Sequence, residues 1–228
     1  MFNIKANHRK VVITDHTALV ASANAHDESG FHENVAFEID GPIIGDLLRA
    51  EQAVIDLGDS GIQLPRYAPE AQPEGGELSI QYTTEAQTLK NVLDTIERAG
   101  EDDELWLAMY YLADREIVNA LTDASRRGAQ VSLILDPNKK AFGREKSGLP
   151  NRPVVEELVE DTDGNVRVRW YDVGIEQFHP KMMMLRQAQQ STIISGSTNF
   201  TSRNMDNYNL EAILMISGPN DAEVMREV

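Results

Sequence analysis

One ordered set of residues occurs twice in this chain, and a duplication of that kind dictates a fold made of two like halves. Asn7-His8-Arg9-Lys10 leads into Val11-Val12-Ile13-Thr14-Asp15, and a second apolar run, Leu19-Val20-Ala21, ends in Ser22-Ala23-Asn24. Phe178-His179-Pro180-Lys181 leads into Met182-Met183-Met184, and Ser191-Thr192-Ile193-Ile194 runs on to Gly196-Ser197-Thr198-Asn199. The sequels match as well, because Val35–Pro42 answers Ala212–Pro219, each closing on Gly-Pro. A lone His-x-Lys carries no signal. Two copies with matched sequels in matched order do.

Side chains alternate across a strand, so His179 and Lys181 leave one face while Pro180, Met182 and Met184 leave the other. A strand apolar on both faces belongs in the middle of a sheet, and a His–Lys pair held there has lost its water. The plain reading, in which both histidines are satisfied core groups, does not account for the repeated Ser-x-Asn. His16, His26 and His32 lack that context and read as ordinary. The polar loop holding His26, Asp27, Glu28 and His32 matches no metal-ligand spacing and reads as solvated chain beside the active site. No metal and no cofactor is expected.

The pattern resembles the phospholipase D superfamily, whose signature is His-x-Lys-x4-Asp followed by Gly-Ser-x-Asn. The first copy matches at His8, Lys10, Asp15, Ser22 and Asn24, with Ala21 in place of the glycine. The second matches at His179, Lys181, Gly196, Ser197 and Asn199, with Arg186 in place of the aspartate, a change that bears on packing more than chemistry. Asn207-Tyr208-Asn209-Leu210-Glu211 is similar to the family's Asn-x-Glu. The resemblance is to bacterial cardiolipin-synthase-like proteins and runs over essentially the whole chain.

That resemblance implies an α/β fold, a phospholipase D-like mixed β-sheet flanked by helices, in two pseudo-symmetric repeats. It implies hydrolysis or phosphatidyl transfer at a phospholipid or other phosphodiester, through a phosphohistidine. His8, Lys10, His179, Lys181 and Glu211 would be catalytic, His8 as nucleophile and His179 as acid. Asn24 and Asn199 would hold the phosphate with the lysines, and Ser22 and Ser197 would join them or shape the turns. Glu211 is expected to pair with His179 and favour its protonated form, while its counterpart Asn34 stands opposite His8. Two alternatives remain: a nucleic-acid phosphodiesterase and a non-catalytic fragment. A net charge of −16 disfavours nucleic acid, which calls for a basic footprint, unless Lys10, Lys181, Arg9 and Arg203 make a locally basic cleft.

Residues 1–57 read as the closing half of a first repeat, with strands at 2–14, 18–22 and 35–40 and a helix opened by Pro42. Residues 58–77, rich in glycine and proline, read as a linker. Residues 78–228 read as a second repeat in which strands alternate with helices. Those helices are opened by a Thr84–Gln87 capping box, by Asp114 and near Asn151. Trp106, Tyr110 and Tyr111 read as core and cleft wall. Only seven residues precede His8, so the first repeat is expected to lack its opening half. Either the sequence is a piece of a longer protein, or a second chain supplies the missing strands. The resemblance implies contact with a membrane surface through an upstream segment. The chain itself is expected to be soluble, since no apolar run nears the roughly 20 residues of a membrane helix. There is no cysteine, hence no disulfide and no thiolate site.

Overall fold

A computed structural model of the chain describes residues 6–58, 60–67, 76–141 and 144–228. The start of the expected strand at 2–14 and residues 68–75 of the expected linker lie outside them. The apolar runs of the first copy form β1 (Val11–Ile13), β2 (Thr17–Ala21) and β3 (Ala36–Asp40), an antiparallel sheet in that order. On β3, Phe37 and Ile39 point inward while Ala36, Glu38 and Asp40 point out, the alternation of a strand with one wet face. Gly41 turns the chain at φ 86°, a conformation that favours glycine, and α1 (Ile43–Ile55) follows with Pro42 at its N-cap.

The second unit continues with β4 (Ser79–Thr84), α2 (Ala86–Glu97), β5 (Glu104–Met109), α3 (Arg115–Arg126) and β6 (Gln130–Leu135). A small hairpin of β7 (Lys140–Ala141) and β8 (Arg144–Glu145) precedes α4 (Asn151–Asp161) and β9 (Arg167–Trp170). Then come β10 (Lys181–Arg186), β11 (Gln190–Gly196), α5 (Ser202–Met205), β12 (Ala212–Pro219) and α6 (Glu223–Glu227). Seven of these strands form a mixed sheet in the order β4-β12-β11-β10-β5-β6-β9. β5, β6 and β9 are parallel, because α3 and α4 return the chain across the sheet. Asp114 caps α3 as expected, accepting the backbone N–H of Glu116 and Ile117.

β10 lies in the middle and is apolar on both faces, as its sequence requires. Met183 and Leu185 face a core with Val92 and Ile96 of α2, Ile117 and Leu121 of α3 and Leu158 of α4. Met184 faces the other core, where Ile193, Leu214 and Ile216 meet Val20, Phe37, Ile39, Ile44 and Leu47 of the first unit. Helices therefore cover one face of the large sheet, and the small sheet with α1 covers part of the other.

Two expectations need correction. The Thr84–Gln87 box does not form. Glu85 stands between them at φ 51°, α2 begins at Ala86 without a side-chain cap, and the Glu85 carboxylate meets Arg9 instead. Trp106 is not core: it is 47% exposed, on the sheet face that the first unit leaves uncovered.

By their order and pairing, β1, β2 and β3 correspond to β10, β11 and β12. The outer edges of β10 and β12 carry β5 and β4. The matching edges of β1 and β3 carry no strand among the described residues. No helix among those residues is long and apolar enough to cross a membrane.

Candidate active site

The two copies meet end to end and brace each other. The His8 backbone N–H donates to Leu210 O at 2.9 Å, and Leu210 N–H to Ala6 O at 2.8 Å. The other copy repeats this: His179 N–H donates to Glu33 O at 2.9 Å, and Glu33 N–H to Gln177 O at 3.0 Å. Each histidine is thus followed across the junction by the residue that ends the loop of the opposite copy, Glu211 in one case and Asn34 in the other.

The side chains obey the same pseudo-twofold. Lys10 Nζ donates to His8 O at 2.6 Å, and Lys181 Nζ to His179 O at 2.7 Å. His8 Nδ1 lies 3.0 Å from the Glu211 carboxylate. His179 Nδ1 lies 3.0 Å from Asn34 Oδ1. This reverses the expected partners, because each acid or amide reaches across the junction rather than along its own copy. The amide nitrogen of Asn34 donates to the carbonyls of Ser29 and His32, so its oxygen faces His179 and holds a proton on Nδ1. Nε2 of each ring is then the nitrogen left for chemistry.

Both serines serve this partner shell. Ser22 Oγ donates to Asn34 Oδ1 at 3.1 Å and accepts Val35 N–H at 3.0 Å. Ser197 Oγ donates to the Glu211 carboxylate and accepts Ala212 N–H at 3.0 Å. Their buried hydroxyls hold the histidine partners and shape the turns. Gly196 is required where it stands, since a Cβ there would lie 2.3 Å from Ala212 O. Asn24 lines a crevice of about 410 Å³ together with His8 and Lys10. Asn199 is buried, and its Oδ1 has no partner among the described residues.

The site concentrates positive charge in an acidic chain. Lys181 is 2% exposed, and burial together with Lys10 pushes its pKa well below the usual lysine value, against Glu211 and Asp136. Burial brings Lys10 down to about 8, with Glu211 opposing. His179 is lowered to about 2, by burial first and then by Lys181 and Lys10. Burial would raise Glu211, but bonds from His8, Ser197 and Asn204 outweigh it and hold the carboxylate below its usual range. The backbone bonds and the two histidine–partner contacts across the junction bring the two motifs to one place.

An anion is expected between those lysines. Phosphate, tungstate or vanadate should bind there and stabilise the folded chain by about 2.7 kcal/mol at a hundredfold excess over Kd, read as a rise in melting temperature. The same anion offsets the lysine field, so His179 should gain a proton on binding, visible in its ring nitrogen chemical shifts. Binding without any change at His179 would separate the anion site from the histidines.

Other site-forming residues were not evident from sequence. Asp136 accepts the backbone N–H of Phe178 at 2.8 Å and of Asn138 at 2.6 Å, fixing the residue before His179. Asn151, at the start of α4, donates to Tyr110 O and Asp136 O. The Tyr110 ring lies 4.9 Å from that of His179. Asp136-Pro137-Asn138 reads in sequence only as a strand stop. Asp15, Arg186 and Arg9 fall away from the chemistry. Asp15 is exposed beside His16, Arg186 is exposed at the far end of β10, and Arg9 is tied to Glu51, Glu85 and Ala50 O. Arg9 therefore adds no free charge to a basic cleft. His26 and His32 join no group that could hold a metal among the described residues.

The protein family described as cardiolipin synthase, PLD-like domain, matches residues 92–228, more than half of the chain. A search of curated protein sequences found no match. Among solved structures, phosphatidylserine synthase of Haemophilus influenzae Rd KW20 is similar over 99% of this chain and 60% of its own, with 14% identity and a TM-score of 0.70. Nuc, a phospholipase D family member from Salmonella typhimurium, is 22% identical over 66% of this chain and 91% of its own, with a TM-score of 0.50. NucT from Helicobacter pylori is 18% identical over the same shares, with a TM-score of 0.51. At these identities the likeness is one of fold.

Proposed function

Since this chain belongs to the cardiolipin synthase, phospholipase D-like family, we propose that it cleaves or exchanges a phosphodiester of a phospholipid through a phosphohistidine. The observation that carries the reading is the doubled His–Lys pair at one junction, with a carboxylate behind only one ring. Nε2 of His8 attacks phosphorus, and the P–O bond to the departing alcohol breaks with its electron pair on oxygen. That oxygen takes a proton from Nε2 of His179. Water or a second alcohol then returns a proton to His179 as its oxygen bonds phosphorus, and the P–N bond gives its electrons back to His8.

Charge supports this division of labour, for a reason other than the one expected from sequence. A phosphorylated imidazole that keeps its Nδ1 proton is positive, and Glu211 stands at that proton. His179 has only an amide behind it and, in the free protein, is kept neutral by burial first and then by the two lysines. The anionic phosphodiester removes that obstacle as it binds between Lys10 and Lys181, so the acid is charged only when substrate is present. Asn24 and Asn199 flank the phosphoryl oxygens in this reading.

A lipid substrate fits the acid balance of the chain better than a polyanion does, and Arg9 offers nucleic acid no free charge. Assay of phosphatidylglycerol, phosphatidylcholine and single-stranded DNA side by side should show turnover of lipid over DNA. Glu211→Gln should lower that turnover on the order of 10⁴-fold, by analogy with an amide put in place of the carboxylate behind a working histidine. Preferential cleavage of DNA would overturn the substrate class, and full activity in Glu211→Gln would overturn the role given to His8.

A further inference from the structure

We propose that His32, from the loop between β2 and β3, is a specificity-determining residue that contacts the alcohol leaving or entering at phosphorus. The inference rests on the reading above, in which His179 serves the leaving oxygen. The pseudo-twofold gives His32 a counterpart. Glu33 and Leu210 are the equivalent backbone partners of the two histidines, so His32 occupies the position that Asn209 occupies in the other copy.

The two positions are used differently. Asn209 is buried, and its amide nitrogen leans on the Glu211 carboxylate at 3.4 Å. His32 is half-buried, and its Nδ1 accepts the backbone N–H of Gln177 at 3.2 Å. That bond sets the ring beside His179, with centroids 6.1 Å apart. An Nδ1 already accepting a backbone proton cannot take one itself without losing the bond. The neutral ring therefore carries its hydrogen on Nε2, and Nε2 has no hydrogen-bond partner among the described residues. Burial lowers the His32 pKa, joined by His26 and Lys181 and opposed by Glu28 and Asp136. His32 is an uncharged N–H donor, not a second acid.

Its place decides what it can touch. In-line displacement by His8 puts the departing oxygen, and later the entering one, on the far side of phosphorus, where His179 stands. His32 and Tyr110 both lie beside His179, their ring centroids 6.1 and 4.9 Å from its own. An uncharged donor there favours an alcohol with a second oxygen, hydroxyl or ether, over a plain alkyl alcohol of equal length. In the other copy the donor at this position is turned inward to Glu211, so only one side of the junction has this reader.

The test is competition between acceptors. The protein is given bis(p-nitrophenyl) phosphate with equal concentrations of ethylene glycol and 1-propanol, and the ratio of the two transfer products is measured within one reaction. That ratio does not depend on how much protein is folded. The glycol product should predominate, His32→Ala should lower the ratio about three- to tenfold, the worth of one net hydrogen bond, and His32→Gln should recover part of it. An unchanged ratio in His32→Ala, even with slower turnover, overturns the role of His32 and leaves the phosphohistidine reading standing. Release of nitrophenol with no transfer product and no adduct on His8 overturns both.

Discussion

With bis(p-nitrophenyl) phosphate, His179→Ala protein should accumulate a phosphoryl adduct on His8, while His8→Ala protein should accumulate none. Nitrophenolate leaves without a proton, so the first displacement does not need the acid. The second does need His179, which must take the proton from the attacking water. Without it the adduct persists and can be mapped by mass spectrometry after a quench that avoids acid. Turnover should fall on the order of 10⁴-fold or more in His8→Ala, since loss of a nucleophile removes a whole pathway. On an alkyl phosphodiester, His179→Ala should cost about 10²–10⁴-fold as well, the usual range for a lost general acid. Adduct on His179 that survives His8→Ala would exchange the two roles.

Lys181→Met should raise the melting temperature while lowering activity by about 10²–10³-fold. Lys181 is buried, its ammonium donates to one carbonyl, and it shares the site with the charge of Lys10. Its folded pKa lies below the value of the free side chain, so folding disfavours the charged form, and stability rises with pH across the window between the two. Methionine fills the same space without a charge. A gain of about 2–6 °C is expected, in line with relief of a strained functional site in a chain of this length. The gain should shrink as pH climbs toward 10, where unfolded lysine also loses its proton. A drop in melting temperature at neutral pH would mean that the bond to His179 O and the field of Glu211 and Asp136 outweigh desolvation.

Most of the architecture was legible because the copies explain one another. Matched apolar runs foretold β1 to β3 and β10 to β12, and the methionine run foretold a central strand. The residues that gather at the junction were legible as a set but not as pairs. Glu211 and His179 lie on the same copy, and nothing local says that Glu211 reaches His8 instead. That pairing comes from how two bodies abut, a property that spacing along one strand does not encode. Asp136 and His32 were hidden for a related reason. Both are tied into the site through backbone groups, of Phe178 and Gln177, and backbone groups look alike in every sequence. The Thr84–Gln87 box failed because Glu85 had a stronger partner in Arg9, seventy-odd residues upstream.

The reciprocal bracing at the junction has a consequence for how such a chain can change by descent. His8 is held by Leu210 and Glu211, His179 by Glu33 and Asn34, and the two units share Met184, Ile193, Val20 and Phe37 in one core. Neither copy alone holds both histidine–partner pairs, so the arrangement needs two copies side by side. A substitution in one copy is answered at the histidine of the other. The two halves of the duplication are therefore coupled through each other's histidine partners.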